Sequence, residues 1–286
     1  MAKNKTKRGK EENKIQKTRI EWVKNPDGTQ GYTWNPITGC LNGCPYCYAR
    51  KLAHGRLKQR YLANKHTGYD GGAIGKDRWL IDTDPFYPRF WEEKLEQLKP
   101  PRGDYYYHDY KGIFVCDMSD LFGIGIPEEW TRKVIDRFQY CPQHRFYLLT
   151  KQPQNLIKFS PFPDNCWVGV TATDTDMAVS GLTSLSEIAA KVKYISFEPL
   201  LSRIPLIANA LSDIDWLIIG QQTPVSAKTE PKIEWIREIV EAADKAGIPV
   251  FLKDNLKPLF KPNYEVAYPW AYSWGEFRQE MPEARK

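Results

Sequence analysis

Three cysteines stand within eight residues, Cys40, Cys44 and Cys47, spaced C-x3-C-x2-C in the stretch TGCLNGCPYCYAR. Reduced thiols packed this closely are candidates for metal binding. Structural zinc sites usually draw on two C-x2-C pairs that close a tetrahedron, and no second pair follows here. Iron-sulfur clusters are also held by cysteine, normally four for a 4Fe-4S cluster, so three ligands leave one iron open to a small molecule. A zinc or closed-cluster site completed by His54, seven residues beyond Cys47, is the other reading of the same loop. Gly39 and Gly43 suit either group, because a short loop wrapped around it needs positive φ and close backbone approach. The remaining cysteines, Cys116, Cys141 and Cys166, fall in or beside apolar runs, where core packing is expected. None follows Cys166, which argues against an auxiliary cluster in the last third of the chain.

The elements behind the loop are regular from about residue 113 onward. Short apolar runs rich in β-branched and aromatic residues recur: GIFVCD (112 to 117), RFYLLT (145 to 150), CWVGVT (166 to 171), KYISFE (193 to 198), DWLIIG (215 to 220) and IPVFLK (248 to 253). They lack the alternation of a one-faced sheet, which predicts parallel strands covered on both sides. Helices are predicted between them. IPEEWTRKVIDRFQY opens on Pro127, Glu128 and Glu129 and carries a Trp130, Val134, Phe138 stripe. EPKIEWIREIVEAADKAG carries an Ile233, Ile236, Val240, Ala243 stripe and ends on Gly247, a C-terminal cap. Upstream, YTWNPI (32 to 37) is expected as a strand, PYCYARKLAHGRLKQRYLANK and PRFWEEKLEQLKPP as helices, and HTGYDGGAIGKDRW as a loop. Repeated strand-helix units make an α/β barrel or a doubly wound sheet.

Charge divides the chain more sharply than hydropathy does. Of 286 residues, 41 are Lys or Arg and 35 Asp or Glu, a net of +6. Residues 1 to 20 hold that whole excess and almost nothing apolar, so they are expected to form a basic, disordered tail, leaving 21 to 260 as the α/β domain and 261 to 286 as an aromatic extension. Six cysteines are too few for a disulfide scaffold of this length, and no run approaches the ~18 apolar residues of a membrane span. A cytoplasmic protein is the expectation.

The blocks WNPITGCLNGCPYCYA, IFVCDMSDLFGIGIP, LLTKQPQNL, WVGVT, ISFEPLL, DWLIIG and AGIPVFLKDN, in this order between residues 34 and 255, carry a resemblance. The chain is similar to radical S-adenosylmethionine (SAM) enzymes and, more narrowly, resembles the phage-type Gp37/Gp68 (DUF5131-like) family. It departs from the family pattern at GQQTP (220 to 224) and KDNL (253 to 256), where a Gly-Gly-Glu and a Lys-Gln-Trp-Gly run are the rule. The resemblance implies a partial (β/α)6 barrel of parallel strands and a 4Fe-4S cluster on Cys40, Cys44 and Cys47. Its open iron would bind SAM, and one electron would release a 5'-deoxyadenosyl radical that abstracts hydrogen from a substrate. The hard chemistry is then the cofactor's, and the protein positions it.

In that scheme Tyr46 touches the adenine. The polar residues that end the strands form the mouth of the barrel. Ser119 and Asp120 are assigned to the methionyl end of SAM, and Glu198 and Gln221 to ribose hydroxyls or methionyl groups. Helix capping is the ordinary alternative for such residues. For Cys116, core packing is the favoured reading, and a place close enough to the mouth to quench a radical or carry sulfur is the lesser alternative. A flavodoxin- or ferredoxin-like electron donor is implied. The basic tail and the RLKQRYLANK segment favour a nucleic-acid substrate slightly over a peptide or protein. The reading of a different class is a noncatalytic zinc- or cluster-binding module that serves as a nucleic-acid or partner platform.

Overall fold

A computed structural model describes residues 14–68, 76–101, 110–260, 268–273 and 275–282. The chain divides into two compact units, Met1–Leu148 and Leu149–Lys286.

In the first unit, β1 (Gln16–Lys17) pairs antiparallel with β2 (Tyr32–Trp34), and β3 (Ile37–Thr38) leads into the cysteine loop. Three short helices follow, α1 (Tyr48–His54), α2 (Lys58–Ala63) and α3 (Lys76–Thr83). Next come β4 (Arg89–Phe90), a 3-10 helix at Glu92–Gln97, β5 (Gly112–Val115) and α4 (Glu128–Tyr140). The strand β6 (Arg145–Thr150) carries the chain across the boundary. β2, β5 and β6 run parallel, while β3 and β4 form a separate antiparallel ribbon.

All four residues of β5 are buried, as expected for a strand covered on both faces. α4 packs its predicted stripe, Trp130, Val134 and Phe138, inward, and the Phe138 ring lies 4.3 Å from that of Phe146 on β6. Each such aliphatic or aromatic side chain contributes roughly 1.5–3 kcal/mol when fully buried. On the outer face, Lys133 and Arg137 of α4 pair with Glu92 and Glu96 of the 3-10 helix. Arg89 is a fully buried cation and donates to the main-chain carbonyls of Asn64, Ile81 and Asp84.

In the second unit, β7 (Cys166–Thr171), β8 (Val192–Phe197), β9 (Trp216–Ile219) and β10 (Val250–Leu252) form a parallel run in that order. Helix α5 (Thr175–Ser186) lies between β7 and β8 in sequence, and its N-cap Asp174 accepts the Met177 amide at 2.9 Å. Helix α6 (Ile233–Ala246) precedes β10; Ile236, Val240 and Ala243 are buried, Ile233 half so, and Gly247 closes the helix with φ of 69°. Trp216 centres an aromatic group with Trp167, Tyr194 and Phe251. A short antiparallel ribbon, β11 (Tyr272–Ser273) and β12 (Glu276–Phe277), follows near the end of the described chain.

The architecture is α/β with eight principal strands, four in each unit counting β6 in the first, parallel except at β1. No pairing among the described residues closes either set into a barrel. Residues 1–13 of the expected tail lie outside the described residues; within the rest of it, Gln16 and Lys17 form β1. The C-terminal segment is tied to β10 and β9: the Leu252 amide donates to the Arg278 carbonyl at 2.8 Å, and the Trp216 indole to the Glu280 carbonyl at 2.9 Å. The long helix expected over 45–65 is broken at Gly55, which caps α1 through its amide to Lys51. The helix expected at PRFWEEKLEQLKPP is a strand and a 3-10 helix, because Arg89 and Phe90 pair with Thr38 and Ile37. Of the expected glycine-rich loop, residues 69–75 lie outside the described residues and 76–79 begin α3.

Candidate functional site

The cysteine loop, residues 39–47, spans the gap from β3 to α1. Gly39 has φ of 85°, and its amide donates to Met118 while that of Cys40 donates to Phe86, both at 2.9 Å. A Cβ at Gly39 would overlap the carbonyl oxygens of Tyr87 and of Phe86, the latter at 2.7 Å. Only glycine lets the chain turn this close to residues 86 and 87. Gly43 also has positive φ, 72°, but no atom lies within 4 Å of where its Cβ would be.

Cys47 caps α1, its sulfur accepting the Arg50 amide at 3.3 Å, and the Cys40 sulfur accepts the Asn42 amide at 3.4 Å. Backbone donors of this kind stabilise thiolate charge and tune a bound group. Arg50 braces the loop from the helix. Its guanidinium donates to the Cys40 carbonyl at 3.2 Å, lies over the Phe86 ring at 4.9 Å, and stands 3.6 Å from Asp84. Tyr46 is half-buried in the loop.

The end of β5 meets this loop. Cys116 has φ of 62°, the one positive value at a non-glycine among the described residues, and the chain turns there out of the strand. Ser119 bridges Gly39 in parallel register and its hydroxyl donates to the Gly39 carbonyl. Asp120 is buried and accepts from the Asn42 side-chain amide at 2.8 Å and the Phe122 backbone amide at 3.1 Å. Asp117 accepts from the Asn35 amide, and its carbonyl takes the Tyr48 hydroxyl at 2.7 Å. Burial pushes the Asp117 carboxyl above its ordinary range, against the opposing pull of those two donors.

The structure therefore brings Ser119 and Asp120 against the three-cysteine loop. Glu198 and Gln221 lie in the second unit, following β8 and β9, and are brought together there with residues beyond β10. Glu198 pairs with Lys253; the Gln221 side chain donates to the Asn255 carbonyl, and the Asn255 side chain returns a bond to Gln221 at 2.8 Å. The Nε2 of His54 stands 3.2 Å from Asp84. Cys116, Cys141 and Cys166 are buried, and burial pushes each thiol up, Cys116 to about 12. Asn35, Asn42, Arg50 and Asp84 had no role in the sequence reading. The two asparagines sit inside the WNPITGCLNGC block, beside Pro36 and Gly43, where a side-chain amide can reach across a loop.

Three soft donors on one loop, two already facing backbone amides, suit a thiolate-held group. As the side chains stand, no set of three His, Cys, Asp or Glu among the described residues is gathered closely enough to hold a metal ion. Burial, then the Asp120 carboxylate, then the neighbouring thiols of Cys44 and Cys47 push the Cys40 thiol up to about 12, against the pull of the Asn42 amide. Three thiolates can share the loop only with positive charge among them, so metal or cluster binding and proton release are coupled here.

A family model described as "Protein of unknown function (DUF5131)" matches residues 17–257. The chain belongs to the DUF5131 family. No curated protein matches this DUF5131 chain. Solved structures of spore photoproduct lyase show a distant likeness to it. One with bound AdoMet and dinucleoside spore photoproduct is 12% identical with a TM-score of 0.43, covering 82% of this chain and 64% of that one. A second, with the dinucleoside alone, is 11% identical with a TM-score of 0.44 and the same coverage. The DUF5131 chain thus spans under two thirds of the length of those lyase chains. Among its described residues no helix is long and apolar enough to cross a membrane.

Proposed function

We propose that this DUF5131 protein is a radical SAM enzyme in which Cys40, Cys44 and Cys47 hold a 4Fe-4S cluster. The observation that carries the reading is the junction of the cysteine loop with the end of β5, made by Ser119 on Gly39 and Asp120 on Asn42. A loop built only to place a structural metal has no need of a strand end delivering a hydroxyl and a carboxylate to it. When bound, the cluster supplies the electron that cleaves the sulfonium bond of SAM.

The chain's own residues bind and orient. The Ser119 hydroxyl proton is committed to Gly39, so its oxygen keeps lone pairs for an ammonium donor such as the methionyl amine. Asp120 adds negative charge for the same amine, held in place by Asn42 and the Phe122 amide. Tyr46 offers a ring face to the adenine, and the open space around Gly43 leaves room beside the loop. Cys40 and Cys47 rest on an apolar group that includes Ala53, Phe86, Trp91 and Met118, which shields the sulfurs from water on that side. A flavodoxin- or ferredoxin-like donor supplies the electron, and the substrate is a nucleic acid or a peptide.

Anaerobic reconstitution of the full chain tests this. The expected product binds about four irons per chain with brown colour, and forms 5'-deoxyadenosine from SAM on reduction by dithionite. Cys44→Ala is expected to lose both properties. A colourless protein holding stoichiometric zinc, with no 5'-deoxyadenosine, would instead identify a noncatalytic metal module.

A further inference from the structure

A cavity of about 550 Å³ opens in the first unit among α1, α2, β2 and the 3-10 helix Glu92–Gln97. That volume falls within the usual range for a small-molecule site, roughly 300–1,000 Å³. Its charge is one-sided. Lys14, Arg56, Arg60 and Lys94 line it against a single carboxylate, Asp117, and that carboxylate already accepts from Asn35 and Tyr48.

Two of the cations are crowded. The Arg60 guanidinium lies 5.5 Å and the Lys94 ammonium 4.8 Å from the centroid of the same Trp91 ring. Neither forms an ion pair with a carboxylate among the described residues; Lys94 donates instead to the Asn35 carbonyl at 2.7 Å. Burial first and Arg60 second lower the Lys94 ammonium to about 8, outweighing the opposing pull of Glu93 and Asp117. A bound anion would supply a counter-charge. On the same wall, Tyr48 is 49% exposed while its hydroxyl is tethered to the Asp117 carbonyl at 2.7 Å, so an accessible ring face is held rigid. Leu52 and Leu57 continue the wall as apolar surface. A fixed aromatic face beside clustered cations is how proteins take a base together with its phosphate.

We propose that this cavity binds a nucleotide, its phosphate against Arg56, Arg60 and Lys94 and its base against the Tyr48 ring. The phosphate can belong to a free mononucleotide or to a single strand. The inference is independent of cluster chemistry, because binding is read on the full chain without iron.

The experiment measures fluorescence anisotropy with two labelled probes, a 5'-mononucleotide and a short single-stranded oligonucleotide, over a salt series. Saturable binding of the mononucleotide alone supports a free-nucleotide site, and tighter binding of the oligonucleotide supports a strand site. Arg56 and Arg60 are exposed, so the double variant Arg56→Ala/Arg60→Ala is expected to keep the fold, which its melting curve verifies. It should bind the preferred probe at least tenfold more weakly. For the oligonucleotide, its log-log salt slope should fall by roughly 0.7 for each phosphate no longer neutralised. Tyr48→Leu, which keeps the wall apolar, should weaken binding by about tenfold because the base has no ring to stack on. The proposal is overturned if neither probe binds, if the double variant binds as the wild type does, or if equimolar SAM displaces the probe.

Discussion

Alanine at Gly39 and alanine at Gly43 make a matched pair that isolates what holds the cysteine loop in place. Both positions have positive φ, 85° and 72°, so each alanine carries a left-handed penalty of about 1–2 kcal/mol. In both, the stiffer unfolded chain offsets up to about 1 kcal/mol of that. These contributions cancel between the two variants. What does not cancel is space: nothing surrounds a Cβ at Gly43, whereas at Gly39 it meets two main-chain carbonyls, that of Phe86 at 2.7 Å. The Phe86 carbonyl also receives the Cys40 amide, so relief means moving the segment that positions the first cysteine. Overpacking of this kind costs about 1–3 kcal/mol. Urea denaturation of the full chain should therefore place Gly39→Ala about 1–3 kcal/mol below Gly43→Ala, with iron uptake on reconstitution falling in the same order. Equal losses of stability, or a larger loss at Gly43, would refute the account of why this loop needs glycine next to Cys40.

Two further outcomes follow from the same unit. Asn42→Ala removes the donor to Asp120 and should cost about 1–3 kcal/mol in thermal or urea denaturation, since the carboxylate is buried; an unchanged midpoint would show that this bond is idle. Lys94 has its ammonium lowered from 10.5 to about 8 in the folded chain. The unfolded chain therefore binds more protons between those values, and this group's contribution to stability rises with pH across the window. Lys94→Met removes that dependence: its stability relative to wild type should be greatest below about pH 8 and decline toward pH 10.5. A constant difference across that window, read by urea denaturation in a pH series, would contradict the assignment.

Much of the second unit is readable from sequence because its strands are unbroken apolar runs. CWVGVT is β7 residue for residue, and KYISFE and DWLIIG differ from β8 and β9 by one residue at each end. Burial on both faces leaves little freedom in where such a run begins or stops. β1 carries no such signal: Gln16 and Lys17 are both exposed and pair with Thr33 and Tyr32 of β2. β4 was hidden by the helical look of FWEEKLEQL, since its pairing with β3 depends on residues about fifty positions earlier in the chain. At the site, the cysteines announce themselves by spacing and Ser119 and Asp120 by ending a strand. Asn35 and Asn42 do not, because their partners Asp117 and Asp120 become neighbours only after β2 and β5 pair. Cys116 reads as a core residue and is one, but its left-handed backbone is invisible in composition.

The buried Arg89 has a consequence for how the first unit responds to ionic strength. Its two terminal guanidinium nitrogens donate to the peptide carbonyls of Asn64, Ile81 and Asp84, while Nε is buried without a partner among the described residues, all of it out of reach of dissolved ions. The seam between α4 and the 3-10 helix relies on Lys133 with Glu92 and Arg137 with Glu96, pairs that open water can screen. Concentrated salt should thus slacken that outer seam first and leave the corner around Arg89 gripped, so that amide exchange quickens from the surface inward.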